Sequence, residues 1–96
     1  MSNLALASAN TLYYTGLLHD AQGQLSEVAE RRSELSLIMS ESESTNVAAE
    51  REDRALEQIQ NQLETQIQLV ESLKKAAEDL LKTAAKGSAP NFSASG

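Results

Sequence analysis

SESESTN, residues 40–46, decides what kind of helical protein this is. It lies near the middle of a chain that otherwise reads as helix. Pro occurs once, at Pro90, and Gly at 16, 23, 87 and 96, so residues 24–86 contain neither helix breaker. SESESTN is made instead of residues that favour caps and turns. If the chain reverses there, it is two antiparallel helices. The rival is one continuous helix through the same segment, which no Gly or Pro forbids.

The flanking sequence carries the helical signal, apolar residues spaced alternately by three and four. Before the polar run the stripe is Leu4, Ala7, Thr11, Tyr14, Leu18, Ala21, Leu25, Val28, Arg32, Leu35 and Met39, nine of eleven apolar. After it the stripe is Leu56, Ile59, Leu63, Gln66, Val70, Leu73, Ala77, Leu80 and Ala84, eight of nine apolar. Both read as heptad seams. Gln60 lies outside both. Carried forward, the first count falls on Ser42, Asn46, Ala49, Asp53, Leu56, Gln60 and Ile67, and it is mostly polar from 42 to 60. The two seams therefore differ in phase, and the break coincides with SESESTN.

The expected fold is all-α: two long antiparallel helices forming a coiled-coil-like hairpin, helix 3–39, a short polar turn at 40–46 and helix 46–86. Thr45 or Asn46 can cap the second helix, with Glu50, Glu52 and Asp53 near its start, where the dipole favours anions. GSAPNFSASG ends that helix at Gly87 and leaves 88–96 as a flexible tail. Residues 1–87 then make a single hairpin domain. Glu27–Arg31, Glu50–Arg54, Glu71–Lys75 and Glu78–Lys82 are spaced i,i+4 with the acid first, the better orientation on a solvated helix face. Arg32 breaks an apolar seam and is expected to pair with Glu52, or with Glu50 if the register slips, and so to fix the alignment of the helices.

Composition narrows the function. Ninety-six residues make one domain at most, and aromatics are 3% with no Trp, a poor supply for a compact core. A net charge of −6 with eight scattered Lys and Arg gives no reason to bind nucleic acid, and no polybasic run suits an anionic membrane. There is no Cys, and His19 is the only His, so neither a zinc site nor a nucleophilic triad can be assembled. No Gly-rich phosphate loop appears. The chain is expected to be no enzyme and to hold no cofactor or metal.

One feature points to a partner. Met1–Leu18 carries no charge, and all of the net charge lies beyond it. The segment lacks a basic n-region and is short for a membrane span. The protein is therefore expected to be soluble, with no signal peptide or transmembrane helix, and either cytoplasmic or exported without a cleaved signal. A hairpin partner covers one face of this segment, yet Leu6, Leu12, Tyr13 and Leu17 lie off the seam. Ser2, Ala9, Gly16 and Gly23 recur every seven residues as a stripe of small side chains that lets another helix come close. The alternative is that Gly16 and Gly23 fray the helix and leave about the first fifteen residues disordered, which fits badly with so many Leu and Tyr. Leu6, Ala9, Leu12, Tyr13, Gly16, Leu17 and Gly23 form the expected intersubunit or partner surface. The segment 41–57 holds six acids and two arginines, which suits a solvated tip.

In size, hairpin layout and acidity the chain resembles small subunits exported by bacterial specialised secretion systems, such as type III needle subunits and the WXG family. The likeness is one of architecture. The chain has no Trp-x-Gly, and SESESTN has no Pro, unlike the turn of needle subunits. An uncharged end opposite an acidic tip is itself the layout of a structural subunit that self-assembles into a filament, tube or ring, with homo-oligomers as its state. The resemblance adds the expectation of an exported component of a secretion or surface apparatus. The alternative from another class is a small chaperone or adaptor that grips a partner's helix through its apolar start.

Overall fold

A computed structural model describes residues 3–95, and side-chain surroundings over 4–86. The fold is all-α, two long helices packed against each other as a hairpin: α1 (Asn3–Glu41) and α2 (Val47–Ser95). The chain reverses over residues 42–46. The turn is set chemically at both of its ends. Asn46 is the cap of α2: its Oδ1 accepts the Ala49 amide at 3.0 Å, and its carbonyl accepts the Glu50 amide at 3.0 Å. One of the four donors that a helix start leaves without partners, the Ala49 amide, is thereby used, and the Glu50 bond is the first of the helix's own ladder. Thr45 is not the cap. At the end of α1, Ser40 Oγ donates to the Leu37 carbonyl at 2.9 Å and Ser42 Oγ to the Ile38 carbonyl at 2.7 Å. The serines of SESES thus bond to the carbonyls of the last turn. The turn is shorter than 40–46, because α1 keeps its last two residues. The range of α2 runs to Ser95, and the segment after Gly87 is the C-terminal tail that was expected. The side chains of the expected tail lie outside the described residues.

The buried positions correct the seam of α2. Leu56, Leu63, Val70, Ala77 and Ala84 face inward as expected. Ile59, Gln66, Leu73 and Leu80 do not: they are exposed, and Gln60, Ile67, Lys74 and Leu81 take the alternate places. This is the phase of α1 carried forward without a break. Every seventh residue from Ala7 to Ala84 is buried or half-buried, and so is every residue four places on, from Thr11 to Leu81. The apolar count favoured the wrong set because Ile59, Leu73 and Leu80 are apolar while Gln60 and Lys74 are not. The hairpin therefore rests on turn chemistry and not on a change of phase.

The chain divides into two compact units, residues 1–18 with 69–96 (unit 1) and residues 19–68 (unit 2). Unit 2 has the fuller core. Leu35 is 2% exposed, and Ala49, Leu63 and Ile67 are also buried. The core of unit 1 is thin: its buried residues are Ala7, Leu18 and Ala77, with Thr11 and Lys74 taking half-buried seam positions. Burying a Leu contributes about 1.5–3 kcal/mol and an Ala far less, so Ala7 and Ala77 add little to unit 1 beside Leu18.

The cap can be tested directly. Asn46→Ala should destabilise the hairpin by about 1 kcal/mol, which lowers the thermal midpoint by about 4–8 °C in a domain of this size. Asn46→Asp should stay near the parent. Circular dichroism melts of the three proteins decide it, and an Ala variant that melts like the parent would remove the cap from the account.

Candidate functional site

Two sets of residues stand out above the seam: a charged cluster in unit 2 and an apolar face in unit 1. The cluster centres on the two adjacent arginines of α1. Arg32 Nε donates to Asp53 Oδ1 at 2.9 Å, and Arg32 Nη1 to Gln60 Oε1 at 2.7 Å. Arg31 donates through Nε and Nη2 to the two oxygens of Glu52, the Nη2 bond at 3.0 Å, and through Nη1 to Glu34 at 3.0 Å. Arg32 and Glu52 were expected to pair with each other. Each instead bonds across the hairpin to the neighbour of the expected partner, because Arg32 and Asp53 both occupy seam positions while Arg31 and Glu52 sit one place before them. Gln60, expected outside both seams, lies in the seam as a partner of Arg32. The pairs along the helices also differ from expectation. Arg31 turns forward to Glu34, and Glu78 takes Lys74 at 3.8 Å.

These bonds shift the acids. Hydrogen bonding to Arg31 holds the Glu52 carboxyl below its ordinary value, against a smaller opposing effect of desolvation, and Arg32 does the same to Asp53. Both guanidinium groups are held further toward the charged form, chiefly by the same hydrogen bonds.

The cluster fixes a useful geometric fact. Arg31 immediately precedes Arg32 and Glu52 immediately precedes Asp53, and the outer two meet across the helices. Positions one residue before the seam on α1 and on α2 thus share one face of the pair. In unit 2 that face is largely polar, with Asp20, Glu27, Arg31, Glu34 and Glu52 among its members.

In unit 1 the same positions carry no charge and are mostly apolar. On α1 they are Leu6, Asn10, Tyr13 and Leu17, and on α2 Leu69, Leu73, Ala76 and Leu80. Most are open to solvent: Leu6 is 54% exposed, Tyr13 62%, Leu69 60% and Leu80 62%. The opposite positions on α2, one residue after the seam, are Glu71, Lys75, Glu78 and Lys82. One flank of α2 in unit 1 is thus charged and the other is leucine. That contrast was present in the sequence, but it was hidden while Leu73 and Leu80 were counted as core.

The residues expected to form the partner surface divide three ways. Leu6 and Tyr13 belong to this apolar face, and the Tyr13 ring lies tilted against Tyr14 at 5.5 Å between centroids. Leu17 is half-buried at its edge. Ala9, Leu12 and Gly16 are exposed farther round, on the back of α1, where Leu12 is 71% exposed. Gly23 is exposed on α1 in unit 2. A Cβ placed on Gly16 or Gly23 meets nothing within 4 Å, so nothing within the chain requires glycine there.

Among the described residues no group of three or more His, Asp or Glu is placed to hold a metal ion. Among the described residues no helix is long and apolar enough to cross a membrane. A shallow, open depression on α2 is lined by Asn61, Gln62, Thr65 and Gln66, amides and a hydroxyl without charge.

The acid limb of stability tests the charged cluster. The folded hairpin holds Glu52 and Asp53 below the unfolded carboxylate value of about 4, so their contribution is present above that pH and is lost as pH falls through the lower folded values. Melts taken from about pH 6 to about pH 3 should show a steeper decline for the parent than for Asp53→Asn. Parallel declines would show that the Arg32–Asp53 pair adds nothing.

No family model, no curated protein and no solved structure matches this chain.

Proposed function

We propose that the protein is a structural subunit, a helical hairpin that assembles with its own copies into a filament, tube or ring through its uncharged N-terminal segment. The observation that carries the reading is the placement of apolar side chains in unit 1. Its buried residues are Ala7, Leu18 and Ala77, while Leu6, Leu12, Tyr13, Leu69 and Leu80 point to solvent. A helix apolar on several sides is normally covered on several sides. The first eighteen residues carry no charge in a chain of net charge −6, so copies can meet there without opposing charge. The resemblance in size, layout and acidity to exported helical subunits adds the form of the assembly and a setting in a secretion or surface apparatus.

Gly16→Glu tests the reading. Gly16 is exposed, and its surroundings leave room for a side chain. Glu is a better helix former than Gly by several tenths of a kcal/mol or more, so local effects favour the variant. Assembly through the N-terminal segment would instead force a carboxylate into a water-poor helix contact. The expected outcome by light scattering is large species for the parent and none for the variant, with hydrogen-exchange protection over residues 19–68 unchanged in both. Gln22→Glu, at an exposed site in unit 2, should assemble like the parent. Assembly of Gly16→Glu equal to the parent's would overturn the reading, and so would a parent that stays monomeric and instead binds a foreign helix.

A further inference from the structure

We infer that the apolar face of unit 1 is the contact between two copies of this chain, which pair through it to close a four-helix bundle. This rests on the self-assembly reading and names its first step. The argument is angular. Each member of the second apolar stripe immediately precedes a member of the seam, as Leu6 precedes Ala7, Tyr13 precedes Tyr14, and Leu80 precedes Leu81. One residue turns the helix by about 100°. Each helix of unit 1 therefore has one neighbour along its seam and room for another about a right angle away. In a square bundle of four, each helix has its two neighbours about 90° apart, against about 60° in a bundle of three. A single helix laid over the hairpin would leave Leu6, Tyr13 and Leu69 uncovered, because they lie too far round from the seam.

The occupant must bring two helices, both apolar one residue before their seams. The chain presents such a pair itself. None of the eight positions on this face carries a charge, whereas Glu71, Lys75, Glu78 and Lys82 lie on the other flank of α2. Two acidic copies can thus meet face to face along the uncharged flank. A two-fold contact of this kind uses the same patch on both partners and closes on itself. Ala9, Leu12 and Gly16 on the back of α1 stay outside it. They are left for the contact by which pairs join into larger assemblies.

The two contacts can be separated with the full-length chain. Gly16→Glu blocks the back of α1 and should leave a dimer in sedimentation equilibrium. Adding Leu73→Glu should weaken that dimer by about 100-fold or more, since a charge would be buried without a partner. Tyr13→Ser added instead should weaken it without introducing charge, which guards against misfolding of the charged variant. Adding Lys75→Gln, on the other flank, should leave the dimer intact. A monomeric or trimeric Gly16→Glu would overturn the bundle while leaving self-assembly through the N-terminal segment standing. So would a dimer indifferent to both Leu73→Glu and Tyr13→Ser. If Gly16→Glu still forms the parent's large species, it is the assembly reading that falls.

Discussion

Two helices packed along one seam cover one stripe of each other and no more. The rest of this structure follows from that constraint. The chain supplies a single uninterrupted stripe, spaced by three and four from Ala7 to Ala84, and the hairpin buries it. Whatever apolar surface lies off that stripe must meet solvent or another molecule. In unit 2 the surplus is Leu37, Ile38, Val47 and Ile59, and the other positions beside the seam are mostly polar or charged. In unit 1 more is left over. The buried residues there are Ala7, Leu18 and Ala77, with Thr11, Tyr14, Val70, Lys74 and Leu81 half-buried beside them, while four leucines and Tyr13 off the seam stand more than half exposed.

The two units thus draw on different physics. Unit 2 holds itself together with Leu35 at the centre of its core and two arginines clamping the acids that follow the turn. Seam positions given to Arg32, Asp53 and Gln60 contribute less apolar burial, but they admit one register, as a polar seam residue does in a coiled coil. Unit 1 has no comparable cross-helix cluster among the described residues. Its side chains favour a water-free neighbour, and Gly16 gives that neighbour a bare stretch of backbone.

The fold was legible in the sequence, though partly for the wrong reason. SESESTN reads as a turn because its side chains compete with the backbone for hydrogen bonds, and Asn46, Ser40 and Ser42 do so. The supposed change of seam phase was an artefact of counting apolar residues. Gln60 and Lys74 belong to the seam, and Leu73 and Leu80 do not, because burial beside a partner helix is decided by geometry and a long polar side chain can satisfy it with its stem. The pairing of Arg32 missed by one residue for the same reason. The exposed Leu6, Leu12 and Tyr13 could be read from the sequence, since an uncharged stretch cannot be covered by one helix. Their counterparts Leu69, Leu73 and Leu80 could not, until the phase of α2 was known.

The central claim is that unit 1 depends on neighbours and unit 2 does not. Hydrogen exchange followed at several chain concentrations tests it most directly, because association stabilises only the segments whose surface it covers. Protection over residues 4–18 and 69–86 should rise with concentration while protection over 19–68 stays constant. Protection that is independent of concentration in both units would contradict the account.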